Sequence, residues 1–161
     1  MNQNINHVDH VIWMCRAENQ LEYVQKLSAL ASREFQGPFD RTDMGIRVYL
    51  TWGGGLEILA PLEMDIPFAN HCREHIEKKG EGLFAVVFGV PDIEKAMGRA
   101  ARLGYDNQSD VIVNSGHEPW LNMLEVFKEV RVGDFMNSLF IFGEIGYIDG
   151  IFQTKKSDIS G

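Results

Sequence analysis

Apolar and polar positions alternate through residues 8–15 (VDHVIWMC), a stretch rich in β-branched and aromatic side chains, which predicts a strand. The period then lengthens. Leu21, Val24, Leu27 and Leu30 or Ala31 recur at helical spacing behind Asn19, a capping residue, until Gly37-Pro38 breaks the pattern. IRVYLTW (46–52) and LEILAP (56–61) flank a run of three glycines and predict a hairpin that Pro61 ends. FANHCREHIEKK (68–79) has the charged, amphipathic pattern of a helix closed by Gly80.

The same order of patterns then begins again. LFAVVFGV (83–90) predicts a strand, and DIEKAMGRAARLG (92–104) a helix with Asp92 as cap and Gly104 as stop. VIV (111–113) predicts a short strand, EPWLNMLEVFKEV (118–130) a helix with Pro119 in its first turn, and SLFIFGEI (138–145) with GIFQT (150–154) a last hairpin. The two openings superpose at an offset of 75 residues, with His10 on Ala85 and Cys15 on Val90. The pattern therefore predicts an α+β domain of paired βαβββ modules. The first covers about 5–64, a linking helix about 66–79, and the second module about 81–155. Side by side, they make one curved, eight-stranded mixed sheet around a concave ligand cavity.

Composition narrows the function. The 161 residues carry 15 Lys and Arg against 23 Asp and Glu, a formal charge of -8. That balance disfavours a nucleic acid or an anionic membrane as partner. Cys15 and Cys72 make no disulfide framework, and no Cys-x-x-Cys spacing suggests zinc or redox work. The opening MNQNINHVDH lacks the basic and apolar regions of a secretory signal, and the longest apolar runs are under half a membrane span, so the expected location is cytoplasmic.

The stretch from Glu57 to Tyr105 resembles the vicinal-oxygen-chelate superfamily, which includes glyoxalase I, extradiol dioxygenases, bleomycin-resistance proteins and methylmalonyl-CoA epimerase. It is similar to the epimerase pattern in particular. Asp65-Ile66-Pro67-Phe68 and Glu77-Lys78-Lys79-Gly80 fill the slots of the short helix and the following glycine turn, ahead of VPDIEKA (90–96). The resemblance implies a metal ligand from the first and fourth strand of each module. His10 and Glu57 stand at those places in the first module. In the second, Ala85 replaces a histidine, and the last place falls near Gln153 or Thr154. The implied cofactor is a divalent ion (Mn, Co, Ni, Mg or Fe) held by the incomplete set His10, Glu57 and Gln153, or none. The resemblance also sets Asp43 at the place of the epimerase base and implies a homodimer.

The residues admit their own readings. A carboxylate between Leu56 and Ile58 on a buried strand must be paired, metal-bound or shifted in pKa, which makes Glu57 a candidate acid or base, unless alternation aims it at solvent. Asp43 is a second catalytic candidate, or a turn residue. His10, Phe84, Ala85, Phe140 and Gln153 are expected to line the cavity, with the second module forming its drier wall. His71 and His75 are four apart on a helix but lack a third ligand, and the three glycines at 53–55 are a turn without the following helix a phosphate loop needs. Two functions follow. One is epimerase- or isomerase-like proton abstraction next to the carbonyl of a small acyl or aromatic molecule. The alternative is metal-free ligand binding of the bleomycin-resistance kind, without catalysis.

Overall fold

Antiparallel pairing of two strands at the centre of the sheet sets the rest of the architecture. In the computed structural model, which describes residues 6–105, 109–113, 116, 118 and 120–148, β1 (His7–Met14) lies against β5 (Gly82–Gly89). Val11 pairs with Val86, Ile12 with Ala85 and His10 with Val87. Those pairs are exchanged when each residue is replaced by its counterpart 75 positions away, so a local two-fold axis passes between Val11 and Val86. The repeat offset read from sequence is thus a register in space.

Each central strand takes a parallel neighbour. β4 (Leu56–Pro61) lies beside β1, and β8 (Ser138–Tyr147) beside β5. Antiparallel strands complete the sides: β3 (Ile46–Leu50) and β2 (Gln36–Arg41) on one, β7 (Leu124–Phe135) and β6 (Ile112–Val113) on the other. The order β2-β3-β4-β1-β5-β8-β7-β6 makes one mixed, eight-stranded sheet, curled into a half-barrel.

Alternation along the strands separates two layers. On the outer face α1 (Gln20–Ala31) covers Cys15, Ile58 and Ala60, and α3 (Ile93–Arg102) covers Val130, Val132 and Phe142. The inner face carries Ile12, Met14, Val48, Leu59, Val87 and Ile141, closed at one end by Cys72 and Ile76 of α2 (Pro67–Lys79). Met14 is 1% exposed there. Met14→Ala is therefore expected to lower unfolding stability by about 3 kcal/mol, read from urea denaturation. No helix among the described residues is long and apolar enough to cross a membrane.

Three local expectations are corrected. The described residues between 118 and 130 form no α-helix: a short 3-10 turn at Leu121–Met123 leads directly into β7. Leu124, Phe127 and Val130 satisfy a helical spacing, but Val126, Val130 and Val132 also satisfy strand alternation, and a ladder to β8 running from Leu124 to Phe135 decides the contest. The last hairpin accordingly turns at Met136-Asn137, both left-handed (φ 49° and 67°), which suits a tight two-residue connection. β8 is thus the fourth strand of the second module; GIFQT, with Phe152, Gln153 and Thr154, lies outside the described residues, as does His117.

The buried side of α1 also differs. Leu21 and Leu30 face solvent, while Gln20 and Val24 are buried. Gln20 Nε2 donates to the carbonyls of Arg47 (2.9 Å) and Ile58 (3.0 Å), so a polar side chain ties the helix to β3 and β4. Satisfied on both bonds, the amide is tolerated inside. Asp92 caps α3 as expected, accepting from the Lys95 N–H at 3.0 Å.

Candidate active site

The inner face encloses a cavity of about 740 Å³, walled by Ile12, Leu50, Phe84, Phe127, Ile141 and Ile145. Two of its polar groups, Asp9 and His10, come from a fault in β1. The register slips between Val8 and His10, leaving Asp9 as the extra residue of a bulge, and Asp9 and His10 both face the cavity. The glycine turn is pressed against this fault: Val11 N–H donates to the Gly55 carbonyl at 2.9 Å. Gly55 has φ +67°, and a Cβ there would sit 3.0 Å from the Asp9 carbonyl oxygen. Glycine is required on both counts.

Asp9 anchors the cluster. Its Oδ1 accepts from His10 Nδ1 at 2.8 Å and from the Tyr147 hydroxyl at 2.9 Å. The other imidazole nitrogen, Nε2, stands 3.5 Å from Glu57 Oε2. Glu129, on β7, completes the group from the second module. Burial pulls the His10 imidazole down, but the Asp9 hydrogen bond and the charges of Glu57 and Glu129 outweigh it and raise its pKa to about 9. His10 is therefore a cation at neutral pH. Burial pushes the Glu129 carboxyl up to about 7, with His10 opposing and Glu57 and Asp9 adding to the rise. Glu57 is also raised, by burial first, against the pull of His10 and Arg41. The Tyr147 hydroxyl, buried and bonded to Asp9, is held well above its usual range and stays protonated.

A strap crosses the cavity mouth. Glu118 and Trp120 precede β7 yet reach the far edge strand: Glu118 Oε1 is 3.5 Å from Arg41 Nη2, and Trp120 meets Phe39 edge-on at 6.1 Å. The Arg41 guanidinium lies 5.5 Å from the centre of the Trp120 ring.

The residues singled out in the sequence fall in different places. His10 and Glu57 meet in the cavity, and Phe84 lines it. Ala85 is fully buried in the inner layer. Phe140 lies on the outer face, stacked with Phe88 at 5.9 Å in the layer under α3. Asp43 sits between β2 and β3 with a side chain 47% exposed, outside the cavity lining. Arg41 donates to both its oxygens, at 3.0 and 2.8 Å, and holds its pKa down. The sequence reading missed Asp9, Glu129, Arg131 and Tyr147. Strand alternation over 124–135 would have shown the second and third, since Phe127, Glu129 and Arg131 share a face.

No protein-family model matches the chain, and no curated protein does. Solved structures do. A methylmalonyl-CoA epimerase variant from Streptomyces coelicolor, in complex with 2-nitronate-propionyl-CoA, is 18% identical with a TM-score of 0.62, over 88% of this chain and 98% of the other. The methylmalonyl-CoA epimerase from Mycobacterium tuberculosis is 15% identical with a TM-score of 0.59, over 89% and 92%. A hypothetical protein from Bacillus halodurans is 19% identical with a TM-score of 0.64, over 86% and 94%. The chain has the vicinal-oxygen-chelate fold.

That fold raises the question of a metal, and the two-fold register answers it with donors. Ile12 pairs with Glu57 in the first module; the corresponding pair in the second is Val87 with Ile141. The counterpart of His10 is Ala85, and that of Glu57 is Ile141, which takes the place the sequence reading gives to Gln153. Both are buried and apolar, and among the described residues no group of three or more His, Cys, Asp or Glu is arranged to hold a metal ion. Among the described residues, the donor set does not fit a divalent ion. Rebuilding it with Ala85→His and Ile141→Glu is expected to tighten Co(II) or Ni(II) binding by about tenfold or more over wild type, measured by isothermal titration.

Proposed function

We propose that the cavity binds a small acyl or aromatic carbonyl compound and moves a proton on and off the carbon next to the carbonyl, without a metal ion. The observation that carries this reading is His10, a cation held among half-buried carboxylates in a largely apolar cavity. With the carbonyl oxygen at the imidazolium, Glu129 as carboxylate removes the proton from the neighbouring carbon. The electron pair of that C–H bond becomes the enolate C=C bond as the carbonyl π pair moves onto oxygen, where the His10 cation stabilises it. Return of the proton from Glu129 gives exchange; delivery from Glu57 to the other face gives epimerisation. Similar solved structures include methylmalonyl-CoA epimerases, one bound to methylmalonyl-CoA, which supports carbon-acid chemistry on an acyl compound.

The loss of ligating groups at Ala85 and Ile141 favours a second reading, ligand binding without catalysis. Proton NMR in deuterium oxide separates the two, with phenylacetone, phenylpyruvate and propionyl-CoA as probes. Catalysis predicts deuterium entering the carbon next to the carbonyl. The rate should be bell-shaped in pH, rising as Glu129 ionises near 7 and falling as His10 is lost near 9. Binding without exchange for all three probes leaves only the second reading. Assembly as a homodimer belongs to the same proposal, and light scattering in solution tests it.

A further inference from the structure

Two arginines line the cavity, and they are treated differently. Arg41 is held by Asp43 and Glu118. Among the described residues, no carboxylate lies within ion-pair distance of the Arg131 guanidinium. It lies instead over the Phe68 ring of α2, 5.1 Å from the centroid, so one face is dry. Glu129 feels the Arg131 charge at longer range but makes no direct pair with it. A guanidinium partly withdrawn from water without a direct pair is unfavourable, and its planar fork matches a carboxylate with two parallel bonds. Arg131 is also two residues from Glu129 on the same face of β7, with no bulge between them, so their backbone positions are about 7 Å apart. A carboxylate seated on Arg131 therefore leaves a carbon one to three bonds away facing the acid–base group.

We propose that Arg131 is the carboxylate anchor of the cavity, and that the ligand is a short oxo acid whose apolar or aromatic tail lies against Phe84, Phe127 and Ile145. This deepens the proton-transfer reading by naming its substrate class. The anchor concerns binding, so it stands or falls separately from the chemistry.

Phenylpyruvate and phenylacetone share an aromatic ring and a carbonyl but differ in the carboxylate, which makes them the test pair. Isothermal titration of wild type should show phenylpyruvate binding about tenfold or more tighter than phenylacetone. Arg131→Gln should make the two equal by weakening phenylpyruvate alone, and Arg131→Lys should keep part of the preference. Thermal melts confirm that both variants are folded. Equal binding of the pair by wild type, no binding of phenylpyruvate, or a preference that survives in Arg131→Gln each overturns the anchor. The two proposals fail in different ways. A carboxylate preference lost in Arg131→Gln, with no deuterium exchange in any probe, keeps the anchor and removes the catalysis. Exchange of phenylacetone without any carboxylate preference does the reverse.

Discussion

Glu129→Gln is expected to slow deuterium exchange by about 100-fold or more while making the protein more stable at pH 8. Both effects have one cause. The fold raises the Glu129 pKa to about 7, chiefly because burial disfavours its charged form. The protonated carboxyl is thus stabilising: its contribution is fully present below the ordinary carboxyl value of 4.5 and is lost as pH rises through about 7. A displacement of that size corresponds to on the order of 3 kcal/mol. His10 acts in the same sense higher up. Its pKa is raised from 6.5 to about 9, so its contribution is complete below 6.5 and fades as pH rises through about 9. Wild type should therefore lose stability steadily in urea melts at pH 5, 7 and 9. The glutamine variant, with no charge to bury, should lose less between pH 5 and 7. Asp40, Asp43 and Asp92 have lowered pKa values and act the other way, but below this window. A wild-type profile flat from pH 5 to 9 would refute the electrostatic account of the cavity.

The second large effect concerns the strap. Arg41→Met should destabilise the protein by about 3 kcal/mol, because it takes away the cation facing the Glu118 carboxylate, whose side chain is 2% exposed. Glu118 keeps its bond from the Gly116 N–H at 3.1 Å, but a hydrogen bond does not replace the opposite charge that the variant removes. The variant also removes the cation beside Trp120, so amide hydrogen exchange at Glu118 and over 120–123 should accelerate. Arg41→Met with Glu118→Leu should recover most of the loss, since removing both charges leaves none uncompensated. If the double variant is no more stable than the single one, the ion pair is not what holds the strap.

The legibility of the fold in the sequence followed the strength of its periodicity. The strand–helix opening of each module and the 75-residue offset stood clear, because alternation, capping by Asp92 and the glycine turn all pointed the same way. Residues 118–130 did not, because helix and strand periods overlap there and only pairing with β8 decides between them. That one choice also makes β8 the fourth strand of the second module, where the apolar Ile141 stands opposite Val87 as Glu57 stands opposite Ile12. The site was half visible. His10 and Glu57 stand on well-patterned strands, whereas Asp9 enters the cavity through a bulge that no alternation rule anticipates, and Glu129 was hidden by the helix reading.

The axis between Val11 and Val86 carries a chemical consequence. Symmetry in the backbone has not been matched by symmetry of reagents: one module supplies the imidazole and its two flanking carboxylates, the other the carboxyl poised near neutrality, the phenol and the Arg131 guanidinium. Neither module holds a complete acid–base set. In the proposed reaction, proton traffic crosses the seam between them, so any motion that hinges β1 against β5 would switch that reaction off while leaving both modules folded.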